Sequence, residues 1–223
     1  MTPRFNGTVC QAEEPFADRQ ERARTLPREY AAAHVGWIRN LMDAEAGVAY
    51  FSFSWWTKAP CGRNFRQMAE RLQRACQEAT CDHFPMLNRS SLNRIPPHLC
   101  VSAIMLPAEK QDGVRHAHGF LRAPVAALSA PSAVTVVQTH GTDVTIRAPQ
   151  VIAGLVRHLR QSVNGGPTSL HIDHHDGYAI NVAADRDSRE KTFTYLTAAG
   201  PEVRSWDRLE WVPGPVWRRL TAQ

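Results

Sequence analysis

Residues 115–124 read Arg115-His116-Ala117-His118-Gly119-Phe120-Leu121-Arg122-Ala123-Pro124, an apolar run interrupted by two histidines and closed by a proline. In an extended strand successive side chains alternate between faces, so His116, His118 and Phe120 share one face and Ala117, Gly119 and Leu121 the other. Upstream, Gln111-Asp112-Gly113 is a turn signal, and an apolar strand over 99–106 precedes it. The short connection predicts an antiparallel hairpin whose second arm, 114–121, carries the histidines.

Working outward, residues 48–56 alternate Phe51 and Phe53 with Ser52 and Ser54, a period-two pattern that predicts the first central strand. From Arg63 to Ala79 apolar residues recur at Phe65, Met68, Ala69, Leu72, Ala75 and Cys76, the stripe of a core helix. A loop over 82–97 leads to the hairpin, and 125–147 reads as loop with a short hairpin. Pro149 stands at a first helical position before the stripe Val151, Ile152, Leu155, Val156, Leu159 and Val163, which Asn164-Gly165-Gly166-Pro167 ends. A fourth strand follows over 168–183, folded back at Asp176-Gly177. Asp187 with Glu190 three residues on predicts the cap of a helix over 188–199 that carries Tyr195, stopped by Gly200-Pro201. The order β-α-β-β-α-β predicts an α+β fold: an antiparallel central sheet with helices on one face, the split βαβ of RRM-like and ferredoxin-like domains, with an added tyrosine-bearing helix. Residues 1–46 read as an N-terminal helical extension, its helix from about Pro27 to Asp43; 47–200 as the central domain; 201–223 as a C-terminal tail.

The chain has 223 residues, 43% of them hydrophobic, enough for one core. No uninterrupted apolar run is long enough to span a bilayer and the first residues are polar, so a cytoplasmic protein without membrane contact is expected. Five cysteines without a Cys-x-x-Cys pair argue against a disulfide framework and a zinc knuckle, leaving reduced thiols. The net charge of +5, carried mostly by Arg, suits a phosphate-bearing partner.

Two histidines at i and i+2 on a strand stand about 7 Å apart at the backbone, near enough to converge on one ion with a third ligand from elsewhere. Glu109, in the same hairpin, is the first candidate for that ligand and Asp112 the second. A second dense cluster, His171-Ile172-Asp173-His174-His175-Asp176, would put His171, Asp173 and His175 on one strand face, and an unrelated metal-dependent hydrolase built on these residues is one alternative.

The stretch from Arg115 to Pro124 resembles the second motif of the HUH endonucleases, the replication initiators and relaxases that nick single-stranded DNA. Tyr50 to Ser54 sits where that family's first strand motif is expected, and Thr192-Phe193-Thr194-Tyr195-Leu196-Thr197 resembles its tyrosine motif. The resemblance implies site-specific nicking and joining of single-stranded DNA in rolling-circle replication of a plasmid, phage or other mobile element. It further implies Tyr195 as nucleophile forming a phosphotyrosine, Mg²⁺ or Mn²⁺ held by His116, His118 and a carboxylate, and a host helicase as a possible partner, since the chain has no ATP-binding loop.

One departure stands out. The family's lysine three or four residues after the tyrosine is replaced by Ala198 and Ala199. Lys191, one helical turn before Tyr195, is the candidate substitute. Without it the chain reads as a catalytically degenerate homologue that binds DNA or RNA. Arg63, Arg66, Arg115 and Arg122, with Arg71, Arg74, Arg89 and Arg94, are candidates to line a groove for the strand, with Trp55 and Trp56 as stacking platforms.

Overall fold

The computed structural model describes residues 28–57, 65–84, 100–124, 133–139, 142–161, 168–198, 202–206 and 209–212. Arg63, Arg89, Arg94, Cys10, Cys61, the 164–167 helix stop and Gly200-Pro201 lie outside them.

Strand β1 (Val48–Thr57) pairs along its length with β3 (Arg115–Pro124), from Val48 opposite Pro124 to Trp56 opposite His116. On the far side of β3 lies β2 (Ser102–Glu109), joined to it by the expected tight turn, where Gly113 takes φ 79°. The hairpin approach is close. Gly119 has φ 149°, and a Cβ there would stand 1.8 Å from the Ile104 carbonyl oxygen, so only glycine fits beside the histidines. Helix α1 (Arg28–Ala44) precedes β1, and α2 (Phe65–His83) connects β1 to β2.

After β3 the hairpin β4 (Ala133–Thr139) and β5 (Thr142–Ala148) leads to α3 (Gln150–Gln161), which returns the chain to β6 (Thr168–Ile172) beside β1. The order β2-β3-β1-β6, every neighbour antiparallel, is the split βαβ arrangement: α2 and α3 each connect two parallel strands with an antiparallel one between. The segment expected as a fourth strand over 168–183 is shorter, because the chain leaves the sheet after Ile172. It forms the two-residue strands β7 (His174–His175) and β8 (Tyr178–Ala179) instead. Asp176 and Gly177 turn between them with φ 49° and 76°, the pair of positive values that a tight hairpin demands. These strands extend the β4–β5 hairpin into a small mixed sheet of order β4-β5-β8-β7.

Helix α4 (Arg186–Thr197) carries Tyr195. Its cap is Asp185, whose carboxylate accepts from the Ser188 backbone N–H at 3.1 Å; the expected Asp187 falls inside the first turn. The expected tail is also corrected: β9 (Val203–Arg204) and β10 (Glu210–Val212) both pair with β2 and complete a six-stranded sheet.

The faces of the sheet follow from alternation. Phe51, Phe53 and Trp55 of β1, with Ala103, Met105, Ala117 and Leu121, meet Met68, Leu72, Ile152 and Leu155 of α2 and α3 in the main core. Each large apolar side chain buried there contributes on the order of 2–3 kcal/mol. The two core helices thus occupy one face as expected, while α1 and α4 cover the other. There Tyr50, Ile104, Leu106 and Phe120 meet Val35, Ile38, Phe193 and Leu196. Further along that second face the sequence turns polar, with Ser52, Ser54, Trp56, His116 and His118, and the sheet opens into a cleft.

Candidate metal centre and cleft

Register places the polar side chains in rows across the strands. Arg204 stands opposite Ala108, Ala108 opposite His116, and His116 opposite Trp56. One step along, His118 is opposite Ser54, and Ser54 opposite His171. Because Glu202 is two residues before Arg204, the start of β9 delivers its carboxylate to the same face. His116 Nε2 lies 2.8 Å from Glu202 Oε2 and His118 Nε2 lies 3.1 Å from Oε1.

Among the described residues these three form the group whose ligand atoms lie within 4.8 Å of one another. Ligands about 2.1 Å from a common divalent ion are separated by about 3 Å, so the spacing fits a metal. The supporting contacts fit as well. The Ser54 hydroxyl lies 2.8 Å from His118 Nδ1, and the Trp56 indole stacks on His116, rings 12° apart with centroids 5.5 Å apart.

The charges suit ligation. Burial works against ionised Glu202, but hydrogen bonds and charge from His116 and His118 outweigh it and hold the carboxyl far below the usual range. Burial lowers His118, opposed by its hydrogen bond to Glu202. Arg204 Nη2 binds Glu202 Oε1 at 2.6 Å, and its guanidinium sits 4.9 Å from the centre of the Tyr195 ring.

Glu109, the first candidate for the carboxylate ligand, belongs to the other face. It stands opposite Arg115, to which it is ion-paired at 3.6 Å, while its neighbour Ala108 stands opposite His116. Asp112 stays in the turn, its carboxylate accepting from the Val114 N–H. Glu202 and Arg204 were missed because they follow the tyrosine helix in a segment too short to read as a strand. The signal available was the alternation Glu202-Val203-Arg204, which puts two opposite charges on one face.

Tyr195 is brought to the site. Its ring meets His118 edge-on, centroids 5.3 Å apart, and it is 48% exposed. Burial and the Glu202 charge push its hydroxyl up, and Arg204 opposes them. A cleft of about 700 Å³ opens here, lined among others by Trp56, His118, His171, Asp173, Lys191 and Tyr195. Lys110 lines it too, so two of the chain's three lysines face one cavity.

The nucleic-acid candidates divide. Arg122 is fully buried under α1, where Nε and Nη2 each donate to Glu45 at 2.7 Å, so it is a structural charge and not a strand contact. Trp55 is fully buried in the main core with Arg71 over its ring, and Trp56 is the indole at the cleft. Arg115 packs over Phe65 on the helix-covered face. Arg66 is exposed and paired with Glu70 one turn along α2. The second histidine cluster does not converge on an ion: His171 and Asp173 face the cleft, bonded at 3.0 Å, whereas His174 Nδ1 meets the Ile172 carbonyl and His175 is exposed on the β7–β8 hairpin.

Cys76 and Cys100 are buried and Cys81 is partly exposed, none of the three in a disulfide. No helix among the described residues is long and apolar enough to cross a membrane. No protein-family model matches the chain, and no curated protein or solved structure is significantly similar to it.

Proposed function

We propose that the chain is a metal-dependent enzyme that nicks and rejoins single-stranded DNA through a phosphotyrosine at Tyr195. The observation that carries this reading is the edge-on contact of Tyr195 with His118, which places a half-exposed hydroxyl-bearing ring beside a three-ligand site. The ligands would be His116, His118 and Glu202. A bound divalent cation supplies polarisation of a scissile phosphate; Mg²⁺ or Mn²⁺ is the expected ion, and two imidazoles favour Mn²⁺.

The chain's own groups supply the rest. Lys110 and Lys191 give the cleft the positive charge that a phosphodiester seeks, and Trp56 offers an aromatic wall. Arg204 lies against both Tyr195 and Glu202, a cation next to the nucleophile where the lysine of the resemblance is missing. The Tyr195 oxygen attacks phosphorus, the bond to the 3′-oxygen breaks, and a free 3′-hydroxyl remains to reverse the reaction.

The test is incubation of the protein with labelled single-stranded oligonucleotides of varied sequence and Mn²⁺, resolved on a denaturing gel. A covalent protein-DNA adduct is expected from the wild type and none from Tyr195→Phe. A second reading, a degenerate DNA- or RNA-binding homologue, is favoured by Ala198 and Ala199 and by the engagement of Glu202 with Arg204. Binding without an adduct across sequences and metals would establish that one.

A further inference from the structure

We propose that His171, held by the Asp173 carboxylate, is the general acid of strand cleavage and the general base of rejoining, an inference that rests on the tyrosine-nuclease reading above. The row His118, Ser54, His171 crosses β3, β1 and β6 in direct register. Two strand spacings, about 10 Å, therefore separate the histidine that meets Tyr195 from the one that meets Asp173, which leaves room for one phosphodiester between them. Helix α4 runs over the same row, with Tyr195 against His118 and, one turn earlier, the Thr192 hydroxyl 3.5 Å from Asp173 Oδ2. His171 and Tyr195 thus line one cleft at two ends of a polar row.

An in-line displacement needs opposite help at its two ends. The bond from Tyr195 oxygen to phosphorus forms and the tyrosine proton passes to water. The bond from phosphorus to the 3′-oxygen breaks, and its electron pair goes to that oxygen, which takes a proton from the His171 imidazolium. In rejoining, neutral His171 accepts the proton of the attacking 3′-hydroxyl and the tyrosine oxygen recovers one from water. Imidazole is the side-chain type that both gives and takes a proton near neutrality.

The other imidazole lining the cleft, His118, is engaged by Glu202 and Ser54. Asp173 is built for its part. Burial opposes its charge, but hydrogen bonds from His171 and Ser52 outweigh it, and the His171 Nε2 contact at 3.0 Å fixes the ring. Asp173 is a positioning residue that orients the imidazole through the 3.0 Å contact.

The experiment uses an oligonucleotide that gives the Tyr195-dependent adduct, made with either oxygen or sulfur at the bridging 3′ position of the scissile link. A 3′-thiolate leaves without a proton. His171→Ala is expected to slow adduct formation about 100-fold or more on the oxygen substrate and less than about threefold on the sulfur one. Asp173→Asn is expected to show the same contrast to a smaller degree, with Mn²⁺ affinity of both variants near wild type. Equal slowing on both substrates, or none on oxygen, would overturn the proposal. A wild type that yields no adduct with any oligonucleotide overturns the tyrosine-nuclease reading itself, and the role of His171 with it.

Discussion

Arg122 spans the sheet under α1 as a charge removed from water, and Glu45 answers it with both carboxylate oxygens. The Tyr50 hydroxyl also donates to Glu45, so one carboxylate serves three donors in a half-buried position. Removing one partner of such a pair leaves the other charge uncompensated, at a cost of about 3–5 kcal/mol. Glu45→Ala should therefore lower stability by that amount in urea unfolding. At the other end of the same face, the carboxylate that matters is Glu202. Glu202→Ala is expected to weaken Mn²⁺ binding by on the order of 100-fold in calorimetry, a ligand being worth at least as much as the outer contacts that cost 10–100-fold. Glu109→Gln should leave Mn²⁺ binding unchanged. His116 and His118 were legible in the sequence because the strand period puts them on one face, and Tyr195 because its stretch resembles a tyrosine motif. Glu202 and the burial of Arg122 were not, since each depends on a partner from 77 or more residues away, and Arg204 reaches the site only because β9 pairs with β2.

Among the elements, those with long periodic patterns were readable: β1, the β2–β3 hairpin, α2 and α3 stand where alternation and apolar stripes put them. The failures are short elements stabilised by neighbours. Strands β9 and β10 hold two and three residues and exist because the edge of β2 offers backbone partners. The start of α4 is a similar case. Asp185 and Asp187 are both plausible caps, and geometry selects Asp185, whose side chain takes both the N–H and the hydroxyl of Ser188. The approach to this helix is anchored too: Asn181 Oδ1 accepts from the Tyr50 and Ala183 N–H groups, and Val182 N–H donates to the Tyr50 carbonyl at 2.8 Å. Asp185→Ala should cost about 1 kcal/mol, the worth of a helix cap, whereas Asp187→Ala should cost a few tenths through the helix dipole. Thermal unfolding of the two variants side by side checks the assignment.

At the scale of the whole molecule, the two faces of the sheet hold themselves together differently. The side under α2 and α3 is an apolar core with the Glu109–Arg115 pair on the same face, while the side under α1 and α4 combines apolar contacts with several ion pairs. Arg39 grips Glu190 at 2.5 and 2.6 Å and lies over Phe193, and Arg189 meets Asp43 at 2.7 Å, tying α1 to the tyrosine helix. On the other face, Asp82 at the end of α2 meets Arg157 and His158 of α3. Glu190 and Asp82 are carboxylates whose folded state favours the charge. For Asp173 and Asp82 burial works the other way, yet hydrogen bonds from His171 and Ser52 to the first, and from His158 and Arg157 to the second, outweigh it. The sign follows directly: between the lowered folded pKa and the unfolded value near 4, the unfolded chain binds more protons, so falling pH favours unfolding. Stability from these groups is fully present above about pH 5 and is lost as pH falls through their folded values. The unfolding midpoint in urea is thus expected to stay level between about pH 7 and 5 as far as these two carboxylates are concerned, and to drop below about pH 4. Asp173→Asn should lower the midpoint at neutral pH and flatten its fall in acid. Asp82→Asn should do so only weakly, because that carboxylate is largely solvated and such pairs contribute about 0–1 kcal/mol. A variant Asp173→Asn whose acid limb matches the wild type would show that the His171 contact adds nothing to the folded state.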